Sequence, residues 1–163
     1  MAQITVNPKL DAGDVFPKLT LNLVDGGTLT LPDYNWTLMV FYRGLFCPVC
    51  HRQLADFQRH LPDYQEQGIN IAAASTEDVD MAREMREKHN ITFPFGYGLD
   101  VIDIATRFGA FYDKDKKFLH ATTFIIKPDG NILNAVYATG STGRYFAMDT
   151  LKHIEVLRKK YNL

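Results

Sequence analysis

Trp36-Thr37-Leu38-Met39-Val40-Phe41-Tyr42 runs straight into Arg43-Gly44-Leu45-Phe46-Cys47-Pro48-Val49-Cys50, and this junction decides the fold. An apolar, β-rich run of that length predicts a buried strand. Beyond it, Cys50, Leu54, Phe57 and Leu61 recur at spacings that place them on one face of a helix. Pro48 suits the first helical position, where the N–H it lacks would find no partner anyway. Cys47 is therefore expected at the N-cap or in the first turn, presented outside the packed stripe, with Cys50 heading the buried face. Free N–H groups and the positive end of the helix dipole favour a thiolate at Cys47. The thiolate is the nucleophilic form of cysteine. Arg43, at the strand end, adds positive potential. Cys50 lies one turn on, within disulfide range, so the pair predicts attack by Cys47 and resolution by Cys50.

Other uses of the same two cysteines, the only ones in 163 residues, follow different chemistry. A structural disulfide gains by closing a loop, and this loop is short. A zinc site needs four ligands, and Cys47 and Cys50 with His51 and His60 do not make a convincing set. Cys47-Pro48-Val49-Cys50-His51 also matches the c-type haem attachment pattern, but that chemistry bonds both sulfurs to the macrocycle, whereas the apolar stripe buries Cys50. The dithiol reading implies no metal and no organic cofactor.

Composition narrows the class further. Hydrophobic residues make up 46% and charged residues 23%, which describes an ordered chain long enough to bury most of its core as a single domain spanning residues 1–163. The net charge of −1 argues against nucleic acid or an anionic membrane as the main partner. Met1-Ala2-Gln3-Ile4-Thr5 carries neither a basic nor an apolar export segment, and no apolar run is long enough to span a bilayer. A cytoplasmic location is expected, where a cysteine pair is more often catalytic than structural.

Around the junction, Leu19, Leu21 and Leu23 alternate with polar residues, as do Leu29 and Leu31 after Asp25-Gly26-Gly27, predicting a β-hairpin. Pro62 should kink or restart the cysteine helix, and Gly68 should close it. Ile69–Ala74 reads as a second buried strand, parallel to the first. Ser75 or Thr76 is expected to cap the next helix, with Glu77 and Asp78 in a solvated first turn. Phe93-Pro94-Phe95-Gly96-Tyr97-Gly98 reads as an edge strand or a loop near the cysteines. Asp100 and Gly109 bracket a short helix, and Asp113–Lys117 is a surface turn. Thr122–Ile126, a Lys127-Pro128-Asp129-Gly130 turn and Asn131–Val136 form a strand pair. A closing helix carries Ala147, Leu151 and Ile154 on one side.

This order of elements, with C-x-x-C after the first buried strand, resembles the thioredoxin fold: α/β, a central mixed sheet flanked by helices, and an N-terminal β-hairpin. Within it, the chain resembles the peroxiredoxin-like (AhpC/TSA, redoxin) branch. Phe16-Pro17, Asp25-Gly26-Gly27, Phe41–Cys50, Ala74-Ser75-Thr76-Glu77, Phe93-Pro94 and Thr123–Gly130 carry the likeness in order. The resemblance implies a thiol-dependent enzyme with Cys47 and Cys50 as catalytic residues and Arg43, Gly44, Pro48 and Thr123 as supporting ones, Thr123 lying beside the pair. Typical members carry Pro and Thr or Ser seven and three residues before the reactive cysteine, where this chain has Val40 and Gly44. They also keep an arginine near the cysteine from elsewhere in the fold. His120-Ala121-Thr122 contains none, so Arg43, Arg107 and Arg144 are the candidates. Thioredoxins and glutaredoxins place a cis-proline where this chain has Thr122-Thr123.

A peroxiredoxin-like frame with a thioredoxin-like dithiol is first expected to be a thiol–disulfide oxidoreductase, because losing the Thr hydroxyl should cost peroxide cleavage more than thiol exchange. A thiol peroxidase with Cys47 as the oxidised residue is the alternative within enzymes. A non-catalytic redox sensor, using Phe93–Tyr97 as an exposed aromatic surface, is the alternative outside them. The implied partners are a thioredoxin- or glutathione-type reductant, a disulfide or hydroperoxide substrate and, as one arrangement among several, a second copy in a homodimer. His51 is a candidate proton shuttle, although its helical direction points away from Cys47. Trp36 and Tyr42 are expected in the core.

Overall fold

The computed structural model describes residues 8–163, so the reading of Met1–Thr5 lies outside the described residues. Strands β1 (Leu19–Leu23) and β2 (Thr28–Leu31) form the expected antiparallel hairpin. The junction strand is β3 (Trp36–Phe41), followed by α1 (Pro48–Arg59) and, after a break at His60, α2 (Leu61–Glu66) with Pro62 in its first turn. Strand β4 (Ile69–Ala74) runs parallel to β3, and α3 (Val79–Lys88) returns the chain to β5 (Phe95–Tyr97). Helix α4 (Val101–Phe108) ends at Gly109 in the left-handed conformation. A small ribbon, β6 (Tyr112–Asp113) with β7 (Phe118–Leu119), flanks the charged turn. Strands β8 (Thr122–Ile126) and β9 (Ile132–Tyr137) precede α5 (Ala147–Tyr161). The main sheet runs in the order β2-β1-β5-β4-β3-β8-β9, mixed and with helices on both faces.

Side chains on β3 alternate between two cores, as the pleat requires. Leu38 and Val40 face one side with Cys47, Cys50, Leu54, Phe57 and Ile154. Met39 and Phe41 face the other with Phe16, Ile104, Phe108 and Phe124. Phe124 lies 5.6 Å from Phe16, 6.2 Å from Phe41 and 6.0 Å from Phe108, ring centre to ring centre. The two cysteines thus lie on one side of the sheet, and an aromatic cluster fills the other.

Two sequence expectations change. Strand β5 is interior, between β1 and β4, and Phe93 and Phe95 are buried. Pro94 is tolerated because it contributes its carbonyl, which accepts the Ala73 N–H at 3.1 Å. No exposed aromatic surface exists there, so the sensor reading loses its docking face. The cap of α3 is Asp78, whose carboxylate accepts the Met81 N–H at 2.9 Å, so Glu77 stands outside the helix. Tyr42 is core as expected, stacked on Phe95 at 5.4 Å, and Trp36 is half-buried beneath the Arg158 guanidinium.

Truncating Phe124 to Ala should lower the unfolding free energy by about 3–5 kcal/mol in chemical denaturation. Because this ring faces away from the sulfurs, the thiol reactivity of the folded fraction should stay at its wild-type value.

Candidate active site: two buried sulfurs and two arginines

Strand β3 delivers the chain to Tyr42, whose N–H still bonds the Ala74 carbonyl at 3.2 Å, and the next residues turn away from the sheet to start α1. Cys47 is the N-cap of α1, with extended backbone (φ −99°, ψ 108°), and its Sγ accepts the Cys50 N–H at 3.3 Å. Pro48 holds the first helical position and is exposed, as expected. The sulfur therefore takes the place that a Ser or Asp oxygen fills in an ordinary cap. Both cysteines are free thiols, and neither is presented: Cys47 is 1% exposed and Cys50 0%. The expectation of an open Cys47 is corrected, and the reason lies in the side chains around it. The Arg43 guanidinium lies 5.5 Å from the Phe46 ring centre and 5.1 Å from that of Phe118, and the two rings stand 4.7 Å apart. Its Nη1 donates to Cys47 Sγ at 3.7 Å.

Of the three candidate arginines, two converge on the sulfurs. Arg144, from the loop between β9 and α5, donates through Nη1 to Cys50 Sγ at 3.2 Å and through Nη2 to Cys47 Sγ at 3.9 Å. Arg107 is committed elsewhere, bonded to Asp103 and to the Lys18 carbonyl. Burial by itself would raise the Cys47 thiol, but the Cys50 thiol and amide, Arg43 and Arg144 outweigh it and hold Cys47 below its ordinary value. Burial also raises Cys50, and there it prevails over the opposing effect of Arg144. The pair is split in the sense a nucleophile and its partner require.

Gly44 explains the missing hydroxyl. A Cβ at this position would lie 2.6 Å from one atom of the Phe46 ring and 3.0 Å from the Glu77 carboxyl carbon. A side chain here would push the half-exposed Phe46 ring aside and would have to adopt φ 156°, which L residues rarely do. Glu77 Oε1 accepts the Leu45 N–H at 2.7 Å, and the Leu45 carbonyl meets His51 Nε2 at 2.7 Å. His51 Nδ1 in turn meets His89 Nε2 at 2.7 Å. Leu45, two residues before Cys47, is thus clamped through both its N–H and its carbonyl. His51 is a loop anchor whose two ring nitrogens are engaged away from the sulfurs.

Thr123 lies opposite Val40 in the β3–β8 register, on the side of the sheet that holds the cysteines. Its buried hydroxyl has no partner, and the same is true of Arg43 Nε and His120 Nδ1 among the described residues. All three belong to the reactive loop or to β8 and the residues just before it. Native proteins keep such orphans rare, and functional sites are one place they occur. Gln53, Glu77 and His89 were missed in the sequence. Gln53 left one signal, a polar residue at helical spacing on an otherwise apolar stripe with Cys50, Leu54 and Phe57. Among the described residues no cluster of His, Cys, Asp or Glu has a metal-binding arrangement, and no helix is long and apolar enough to cross a membrane.

Comparison with known proteins agrees with this geometry. The AhpC/TSA family profile matches residues 12–135, and the chain belongs to the AhpC/TSA family. A candidate peroxiredoxin of Mycobacterium tuberculosis, Rv2521, is 29% identical over 147 residues, covering 86% of this chain and 93% of the relative. Peroxiredoxin Bcp of Escherichia coli K12 is 27% identical over 134 residues, covering 78% and 85%. The solved structure of Enterococcus faecalis AhpC superposes with a TM-score of 0.80 at 18% identity, covering 94% of this chain and 95% of that one, which establishes the thioredoxin-like fold. The chain is a thiol-dependent oxidoreductase.

Two expectations follow from the geometry. Iodoacetamide labelling of Cys47, read by mass spectrometry across pH, should reach half its maximal rate below the pH typical of a free cysteine, since a lowered pKa keeps the thiolate at lower pH. Cys50→Ala removes the hydrogen bond that most favours that thiolate and should move the midpoint upward. Gly44→Thr, which restores the family's hydroxyl, should destabilise the fold by about 1–3 kcal/mol through backbone strain at a positive φ. It should also slow peroxide oxidation, because Phe46 and the Leu45 clamp must shift.

Proposed function

We propose that this chain is a two-cysteine thiol peroxidase acting on small hydroperoxides. Cys47 is the oxidised nucleophile, Cys50 the resolving thiol, and Arg43 and the helix N-terminus stabilise the thiolate. The observation that carries this reading is the burial of Cys47. A protein disulfide must bring its sulfurs in line with the attacking thiolate, and its flanking backbone would have to enter beneath Arg43 and Phe46. A hydroperoxide needs only a small polar space with hydrogen-bond donors. Such donors, aimed where charge develops, supply a large part of the rate in reactions of this kind. Arg43 and Arg144 are candidates for the part the missing hydroxyl plays elsewhere in the family, and the unpartnered Thr123 hydroxyl is a third.

The cycle balances without any metal or organic cofactor. The Cys47 thiolate attacks the terminal peroxide oxygen, the O–O bond breaks, and the alkoxide or hydroxide leaves and takes up a proton, giving a Cys47 sulfenic acid. The Cys50 thiolate then attacks Cys47 Sγ and expels hydroxide, which takes up the proton the Cys50 thiol lost and leaves as water, giving a disulfide. Two thiol equivalents from a thioredoxin- or glutathione-type reductant regenerate the pair and become a disulfide themselves. Thiol–disulfide exchange on larger substrates is the second reading, supported by the C-x-x-C pair itself.

Stopped-flow oxidation of the reduced protein by hydrogen peroxide, beside an insulin-disulfide assay on the same sample, separates the two. The expected result is peroxide oxidation well above the rate of free cysteine at the same pH, with insulin reduced no faster than by dithiothreitol alone. Brisk insulin reduction with peroxide reactivity at the free-thiol level would reverse the assignment. Cys47→Ser should keep its fold, because Ser is a favoured N-cap, and lose both reactivities.

A further inference from the structure

We infer that Arg144 is a second catalytic arginine whose work is on the sulfur of Cys50: it holds that sulfur as the leaving thiolate when the oxidised pair is reduced, and as the attacking thiolate when the pair closes. The inference rests on the dithiol–disulfide cycle proposed above. Its basis is an asymmetry between the two arginines. Arg43 reaches Cys47 with its guanidinium and offers Cys50 only a backbone N–H, at 3.4 Å. Arg144 stands closer to Cys50, at 3.2 Å, than to Cys47, at 3.9 Å. Among the described residues it is the side-chain cation bonded to Cys50.

The Arg144 guanidinium is also fixed in place. Nε and Nη2 both donate to the Ser141 carbonyl, at 2.9 and 2.5 Å, and Nη1 donates to Gln53 Oε1 at 2.9 Å. Gln53 is fully buried and held by its own bond from Nε2 to the Tyr145 carbonyl at 2.9 Å. A planar group held at three of its nitrogens is fixed in orientation. It stays with Cys50.

The chemistry shows why that matters. A reductant thiolate attacks one sulfur of the disulfide, the S–S bond breaks, and the other sulfur departs with the electron pair. Cys47 caps the helix at the reactive loop and Cys50 lies on the buried face of the helix one turn on, so Cys47 is the sulfur on the side of approach and Cys50 is the one that leaves. Cys50 is wholly buried, where an unpaired thiolate is disfavoured. The mixed disulfide left on Cys47 is then cleared by a second reductant thiolate, and the protein's two thiolates are protonated by the protons the reductant thiols lost. Without Arg144, the step that expels Cys50 loses its charge partner.

The test oxidises wild type, Arg144→Gln, Arg144→Lys, Arg43→Gln and Gln53→Leu with one equivalent of hydrogen peroxide. Mass spectrometry quantifies the Cys47–Cys50 disulfide, and stopped flow follows its reduction by dithiothreitol across pH. In Arg144→Gln, reduction should slow on the order of tenfold to a hundredfold, the effect of losing a hydrogen bond to a charged group. Closure of the disulfide from the sulfenic acid should need higher pH. The first oxidation of Cys47 should change far less, and Arg144→Lys should recover part of the loss. Gln53→Leu should show a smaller loss in the same direction, and Arg43→Gln the opposite pattern, with the first step hit hardest. An Arg144→Gln disulfide reduced at the wild-type rate with an unchanged pH profile would overturn the inference, as would a loss spread equally over oxidation and reduction. If wild type forms no intramolecular disulfide, the cycle itself falls, and the inference with it.

Discussion

Two sulfur atoms share a nearly dry space with two guanidinium groups. Burial alone pushes both thiols toward the neutral form, and Cys50 shows that direction. Cys47 escapes it because the Cys50 thiol, a helix amide and two arginines act together on one atom. In a low-dielectric setting each of these interactions is stronger than it would be in water. Arginine suits the task better than lysine, being more weakly hydrated and able to direct several donors in one plane. The same dryness that threatens the thiolate thus strengthens what supports it. A more open site would ionise Cys47 more easily by solvation but would hold it less selectively over Cys50.

The sheet makes this arrangement affordable to the fold by separating labour between its faces. Phe16, Phe41, Phe108 and Phe124 fill one side with closely spaced rings. The other side accepts a polar cluster of Cys47, Cys50, Gln53 and Arg144 at the rim of an otherwise apolar core. Partly satisfied polar groups are costly inside proteins. Here their neighbours are held by backbone: Ser141 and Tyr145 lend carbonyls, and Arg43 and Cys50 lend amides. Backbone partners are set by the fold, so they hold these donors in place.

The frame was legible because it depends on local signals. The alternation of Leu19, Leu21 and Leu23, the spacing of Cys50, Leu54 and Phe57, and the stop signals at Gly68 and Gly109 each follow from a few neighbouring residues. The N-cap position of Cys47 was readable for the same reason, from Pro48 and the stripe. What the sequence hid lies far apart in the chain. Arg144 sits 94 residues from Cys50, and Glu77 lies 32 from Leu45, so no periodicity connects them. Strand β5 misled because a short aromatic run broken by Pro and Gly has the composition of an edge; its interior position depends on pairing with β1, which only the assembled sheet reveals. Cys47 misled in the opposite way. Helical position places a side chain on a face of its own helix, but whether that face is open depends on what Arg43, Phe46 and Phe118 do above it.

The substitution of Gly44 for the family's hydroxyl residue belongs with that closure. Without a Cβ at 44, the Phe46 ring can lie against the backbone and the Glu77 carboxylate can reach Leu45. Phe46 in turn packs against Phe118, and both rings lie beside the guanidinium that donates to Cys47. A Thr would supply one neutral donor and displace the ring that helps position a charged one. Hydrogen bonds from charged donors are roughly twice as strong as neutral ones, so the exchange favours the arginine wherever the site is dry enough to keep it paired. By this argument, the glycine and the two half-buried arginines form one design: each is useful only because the others are present, and the departure from the family pattern at position 44 marks a different means of stabilising the same sulfur.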